Sequence, residues 1–344
     1  MDEHGHKPVL AAEVERLLAP RPGDVVVDCT LGRGGHAAAL AAAVRPPEPP
    51  ACGSCGRLVG FDLDPESLAH AGARLEPLGV PMALYPESFV RVAQRLGELA
   101  VAADVLIADL GVSSAQLDDP ARGFSFRVAP GAPGAPGAPG APLDMRFGGA
   151  AGPAPPSAAD LVRTLPEAEL ARVIFEYGEE PLARKIARKL VQIRKTEPID
   201  TTEKLATLVL EAYGRRARAS RIHPATRTFM ALRIAVNEEL DALTMLLDHI
   251  TRGAEQVEAG DRSRGWLNTG ARVGVISFHS LEDRLVKRAF ADLERRGLAT
   301  RLTKRPVTAG PEEVRDNARS RSAKLRVVRI REGRDRSERG RQDD

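Results

Sequence analysis

The stretch Asp24-Val-Val-Val-Asp28, followed at once by Cys29-Thr-Leu-Gly-Arg-Gly-Gly-His36 and an alanine-rich run to Val44, admits few folds. A short buried strand, a glycine turn and a helix in that order open a nucleotide-binding α/β sheet. The pattern then repeats. Arg57-Leu-Val-Gly-Phe-Asp62 reads as a second strand ending in an acid, and Pro65 to Leu75 as its helix. Met82 to Tyr85 is a weaker third strand and Asp104-Val-Leu-Ile-Ala-Asp109 a strong fourth. Strands alternating with helices predict an α/β fold built on a doubly wound parallel sheet, with ligands at the carboxyl ends of the strands.

After Leu110 the rhythm stops for about a hundred residues. From Asp118 to Ile222 the chain carries helical patterns without strands, so residues 118–222 are expected to form an inserted helical domain. Residues 1–117 and 223–331 would then form the sheet domain. The best helix of the insert sets Ile186, Leu190 and Ile193 on one stripe, with Arg184, Lys185, Arg188 and Lys189 largely off it. Beyond His223-Pro224 one long helix is predicted through Val236, Leu240, Leu243, Leu247 and Ile250, then strands at Val273–Phe278 and Leu325–Ile330. The charged stretch 332–344 has the composition of a disordered tail. Two segments look like loop insertions, Pro46 to Gly56 and the four Pro-Gly-Ala triplets within 130–142. Cys52 and Cys55 have CxxC spacing, but no second pair follows, so no metal site is expected.

Charge is uneven. The 344 residues carry a net +3, yet residues 184–233 hold thirteen Lys/Arg against four Asp/Glu, and residues 315–344 eleven against six, leaving the remainder acidic. Basic blocks in an otherwise acidic chain suit a phosphate-rich partner. No apolar run approaches the roughly 20 residues of a membrane span. The opening Met-Asp-Glu-His-Gly-His has no export-signal pattern. Three cysteines, an odd count, suit a reducing cytoplasm.

The turn alone does not name its ligand. Gly32-Arg-Gly34-Gly-His-Ala37 also matches a dinucleotide fingerprint, which keeps an NAD-dependent oxidoreductase open, and Asp62 could hold ribose hydroxyls in either case. Asp109 favours methyl transfer: an acid at the end of the fourth strand can accept a proton leaving an amine, which hydride transfer does not need. Its plainer reading is a helix N-cap.

Six motifs carry a family resemblance: Gly32-Arg-Gly-Gly-His36, Asp109-Leu-Gly-Val-Ser-Ser114-Ala-Gln-Leu-Asp-Asp119, Arg122-Gly-Phe-Ser-Phe126, Pro142-Leu-Asp-Met-Arg146, His223-Pro-Ala-Thr-Arg-Thr-Phe229 and Ile276-Ser-Phe-His-Ser-Leu-Glu-Asp-Arg284. In this order, over about Lys7 to Arg326, the chain resembles the RsmH (MraW) family. The resemblance implies a Rossmann-like S-adenosylmethionine-dependent methyltransferase fold and methylation of the exocyclic N4 of a cytidine in 16S rRNA at the decoding centre, on naked RNA or the 30S subunit. It implies that Gly34, Gly35 and His36 touch the methionine end of the cofactor, Asp62 the ribose, Phe89 the adenine neighbourhood, and Asp109 and Gln116 the remaining edge. Asp109 is the expected catalytic proton acceptor. The chain lacks the Asp/Asn-Pro-Pro-aromatic tetrapeptide of many amino-methylating DNA enzymes, so Phe124 or Phe126 is expected to stack on the base. Arg184, Lys185, Arg188, Lys189, His223 and Arg227 are the expected RNA contacts, with Arg215, Arg216, Arg218 and Arg221 as further cations. A noncatalytic rRNA-binding protein is the other alternative. Monomer and homodimer both remain open.

Overall fold

A computed structural model describes residues 8–45, 56–126, 140–148, 155–220, 222–261 and 265–331. Cys52, Cys55, Arg127, Arg221, the Pro-Gly-Ala triplets up to residue 139 and the tail 332–344 lie outside them. The chain divides into two compact units, Met1–Gly111 with Leu240–Asp344, and Val112–Glu239.

The first segment of the sheet unit runs α1 (Ala11–Leu18), β1 (Val25–Asp28), α2 (Gly35–Val44), β2 (Arg57–Phe61), α3 (Pro65–Leu75), β3 (Met82–Tyr85), α4 (Val92–Glu98) and β4 (Ala103–Asp109). The helical unit follows with α5 (Ser114–Asp118), α6 (Ala158–Thr164), α7 (Glu167–Gly178), α8 (Ala183–Ile193), α9 (Thr202–Tyr213) and α10 (Ala225–Asn237). The sheet unit then resumes with α11 (Glu239–Ala259), β5 (Leu267–Ser277), α12 (Ser280–Arg295), β6 (Ala299–Arg301), α13 (Pro311–Asp316) and β7 (Lys324–Ile330).

Seven strands form one sheet in the order β3-β2-β1-β4-β5-β7-β6. The first five are parallel, whereas β7 runs antiparallel to both β5 and β6. The sequence reading of a parallel sheet therefore holds up to β5 only. Central strands are apolar on both sides because both faces are covered. Val26, Leu58, Val105, Ile107 and Ile276 pack with Val14, Leu18, Leu40 and Leu68 of α1 to α3. The alternate residues Val27, Val59, Leu106 and Val275 pack with Leu96, Leu243, Ile250 and Val286 of α4, α11 and α12 on the other face. Each such buried aliphatic side chain contributes about 1.5–3 kcal/mol. Asp64 starts α3 by accepting the Glu66 N–H at 3.1 Å, with Pro65 at the first helical position.

The helical unit has its own core, in which Ile186 and Leu190 of α8 pack with Leu170, Ile174, Leu205, Val209, Phe229 and Leu232. This corrects the expected domain boundaries. Phe229, Leu232 and Val236 of α10 are core residues of this unit, so it extends beyond Ile222, to Glu239, and it starts at Val112. The single long helix expected after His223 is also two. The chain breaks at Glu238, whose φ is +49°, because the Asn237 side chain is engaged with an incoming loop: its Nδ2 donates to the Met145 carbonyl at 2.7 Å, and its Oδ1 accepts from the Phe147 N–H at 2.8 Å. Among the described residues no helix is long and apolar enough to cross a membrane.

Candidate active site

Three strands of the sheet unit deliver acids to the same carboxyl edge. Asp28 ends β1, Asp62 follows β2 and Asp109 ends β4. Parallel pairing of β1 with both β2 and β4 sets their ends side by side.

The turn after β1 is fastened to Asp62. Its Oδ2 accepts the Gly32 N–H at 2.7 Å and its Oδ1 the Asp64 N–H at 2.8 Å. Of the three glycines, Gly32 leaves open space: at φ +51°, the nearest atom to an added Cβ is the Thr30 carbonyl oxygen at 4.0 Å. A Cβ on Gly34 would press on Ala71 and Leu75 at 3.4 Å, and one on Gly35 would meet the Pro8 ring at 2.8 Å. Those two absent side chains make room for the protein itself, which the spelling of the motif did not reveal.

Asp109 is fixed through its backbone, whose N–H donates to Thr30 Oγ1 at 2.6 Å. Its carboxylate is not fixed. Oδ1 is buried without a hydrogen-bond partner, and Oδ2 lies 3.6 Å from His36 Nε2, itself buried and unpartnered. At that distance the contact is long and its charge component carries far. The N-cap alternative for Asp109 is excluded, since α5 is capped by Ser113. His36 is 7% exposed. Burial acts to lower its pKa, but Asp109, then Asp28 and Glu313, outweigh that and leave it raised. Asp28, 2% exposed, is the residue that sequence reasoning passed over. Desolvation pushes its carboxyl up to about 6, against the lowering influence of His36 and of the Thr30 N–H that it accepts at 3.0 Å. An acid closing a wholly apolar strand was the available signal. Burial also pushes the Cys29 thiol up, which suits core filler and not a nucleophile.

Phe89 begins a short turn of 3-10 helix, half-buried against the core that holds Val92 and Leu96. Gln116 falls in the helical unit. Its Oε1 accepts from the Ser113 N–H at 2.9 Å and its Nε2 donates to the Phe147 carbonyl at 3.2 Å, leaving one amide hydrogen and one carbonyl lone pair. Phe124 is buried and stacked on Phe147 with centroids 5.8 Å apart, so the expectation that it stacks on a base is withdrawn. Phe126 is half-buried, with the exposed His223 ring at 4.6 Å and Phe229 edge-on at 4.7 Å. Arg227 is half-buried, and its charge acts on Tyr213, whose hydroxyl donates to buried Glu180 at 2.6 Å. On α8, Arg184 and Lys185 are exposed, Arg188 lies 3.6 Å from Glu167, and Lys189 is 2.8 Å from Glu211. Such surface pairs are worth about 0–1 kcal/mol and exchange readily for a phosphate. His279 caps α12, with Nε2 3.2 Å from Glu282.

These features test the fit of a nucleoside cofactor with a cationic centre. An open glycine turn, an acid at the end of the neighbouring strand and an unpartnered buried carboxylate oxygen are the groups such a ligand needs. With the family that the sequence matches, this sheet defines the chain as an S-adenosylmethionine-dependent methyltransferase. Residues 3–331 match the MraW methylase family, to which the chain belongs. It is 44% identical over 339 residues to the ribosomal RNA small subunit methyltransferase H of Pelobacter propionicus, covering 94% of this chain and 97% of that protein. Identity to the enzyme of the same name from Geobacter sulfurreducens is also 44%, over 340 residues, covering 94% and 98%. The oxidoreductase and noncatalytic alternatives end with that membership.

Proposed function

We propose that this chain methylates the exocyclic N4 of a cytidine in 16S rRNA, within the small ribosomal subunit of the bacterial cytoplasm, with Asp109 as the proton acceptor. The observation that carries the reading is the unpartnered, buried Asp109 Oδ1 at the end of β4 in a chain of the MraW methylase family. The small-subunit substrate rests on the names of the relatives at 44% identity.

S-adenosylmethionine supplies an electrophilic methyl group when bound. The chain's own work is orientation and proton handling. Asp62 serves the ribose hydroxyls from the end of β2 while holding the Gly32 turn in place. Gly34 and Gly35 seat α2 against Ala71 and Pro8, which sets where His36 and the free N–H groups at the start of α2 point. Phe89 serves the adenine, and Gln116, in the helical unit, keeps a hydrogen and a lone pair beyond its bonds to Ser113 and Phe147. The cytosine amine is a poor nucleophile because its lone pair is delocalised. Asp109 aligns an N–H and takes the proton as the nitrogen pyramidalises, and the Thr30 hydroxyl keeps its backbone from yielding. Incubation of the full chain with S-adenosylmethionine and small subunits lacking this modification, followed by mass mapping of the RNA, is expected to give one methyl on one cytidine. Methylation at a ring carbon, or none, overturns the assignment.

Arg184, Lys185, Arg188 and Lys189, with Arg215, Arg216 and Arg218 on the exposed turn Gly214–Ala219, supply the phosphate contacts. His223 and Arg227 serve the RNA beside Phe126, the aromatic left of the two expected to stack on the base. The expected result is a steep fall of RNA affinity with salt. Reversing Arg184 and Lys185 to glutamate should cut the slope of log K against log salt by about 0.7 per lost phosphate contact. An unchanged slope in a folded double variant counts against this face.

A further inference from the structure

His36 sits among several acids at the carboxyl edge of the sheet. The charged groups that act most strongly on His36 are Asp109 at the end of β4, Asp28 at the end of β1 and Glu313 of α13, all of them carboxylates. The nearest, Asp109 Oδ2, lies 3.6 Å from its Nε2. A proton on this imidazole is kept by that long contact and by the surrounding negative charge. Whatever changes that charge changes the occupancy.

The two forms of the cofactor differ in charge. S-adenosylmethionine carries a sulfonium, and its demethylated product carries a neutral thioether. Two positive charges sharing a buried, poorly hydrated pocket repel. We infer that His36 distinguishes the two forms by exchanging charge with them: it is protonated when no sulfonium is present and yields its proton to solvent when the sulfonium arrives. The inference rests on the methyltransferase reading above and extends it to the specificity of the same site.

The chemistry then balances within the pocket. Methyl transfer forms an N–C bond as the S–C bond breaks, with the S–C electron pair left on sulfur. The amine N–H then breaks, its pair staying on nitrogen and its proton passing to Asp109. Neutral His36 next to Asp109 takes that proton onward. The pocket begins with a sulfonium and a neutral imidazole and ends with a thioether and an imidazolium, so its net charge is the same before and after. His36 thus relays the proton from behind Asp109.

Calorimetry on the full chain tests this directly, with S-adenosylmethionine and S-adenosylhomocysteine titrated in buffers of different ionisation enthalpy. The window runs from about pH 5.5 to 7, below the titration of the ligands' own amines. The sulfonium form is expected to release a proton on binding and to gain up to about tenfold in affinity per pH unit, while the thioether form releases none and stays flat. His36→Gln should flatten the first line at whatever affinity the variant keeps, since the slope and not the affinity reports the proton. Asp28→Asn should move the release to lower pH without abolishing it. Equal proton release for both ligands in the native chain overturns the inference and leaves the methyltransferase reading standing, as does a loss of release in Asp28→Asn but not in His36→Gln. If His36→Gln fails to fold, the native comparison of the two ligands still decides. Failure to bind S-adenosylmethionine at any pH overturns the reading itself.

Discussion

Replacing Asp109 by asparagine is expected to lower kcat by about 10²- to 10⁴-fold, the range that general base catalysis commonly supplies. The substitution preserves shape and leaves the backbone N–H bond to Thr30 Oγ1 in place, so the end of β4 should not move. It removes the proton-accepting oxygen that the fold leaves buried and unpartnered. Because the loss falls on a step after binding, kcat should drop while the affinity for the thioether product stays within a few-fold of native. Single-turnover methylation beside equilibrium binding separates the two. A variant with native kcat removes Asp109 from the chemistry.

Asp28→Asn is expected to stabilise the sheet unit, and only at neutral and alkaline pH. The Asp28 carboxyl is pushed from 3.8 up to about 6 by burial. A carboxyl raised in the folded state binds its proton more tightly there than in the unfolded chain, so stability falls as pH rises from about 4 to 6 and stays low above. That span corresponds to about 3 kcal/mol recovered by a side chain that cannot ionise. Below about pH 4 native and variant should unfold alike. The chain has one tryptophan, Trp266, buried in the core of this unit, so its fluorescence in urea reports the transition. Equal midpoints at pH 8, or a less stable variant there, contradict the expectation. The unfavourable charge is retained beside His36, whose proton it helps to hold, as stability is commonly given up around functional groups.

Much of the sheet was legible. The spans of α3 and β3 coincide with their sequence readings, and β1, β2 and β4 agree within a residue, because each is a short apolar run bounded by an acid, a glycine or proline. The three-residue β6 is too short to show any alternation, and the antiparallel entry of β7 depends on which neighbour its backbone meets. The break at Glu238 has no local breaker residue. It comes from a side chain 92 residues away in sequence from the Met145 carbonyl it binds.

The candidate site divides in the same way. Asp62 and Asp109 were found from their place at strand ends, and both occupy the carboxyl edge. Gly34 and Gly35 looked like ligand glycines, whereas their neighbours are Ala71, Leu75 and Pro8. Phe124 and Phe126 are two residues apart and were indistinguishable as stacking candidates until burial placed the first in the core.

What the sequence determined alone was the local order of elements, the acids that close the parallel strands and the membership of a methylase family. These are set by hydrophobic periodicity and by residue types at fixed spacings along one chain. What the tertiary structure decided was the electrostatics: Asp28 raised, Asp109 left without a partner and His36 suspended among carboxylates. Burial and proximity are properties of residues distant in sequence, and the charge that a side chain carries is fixed only once those neighbours have displaced its water.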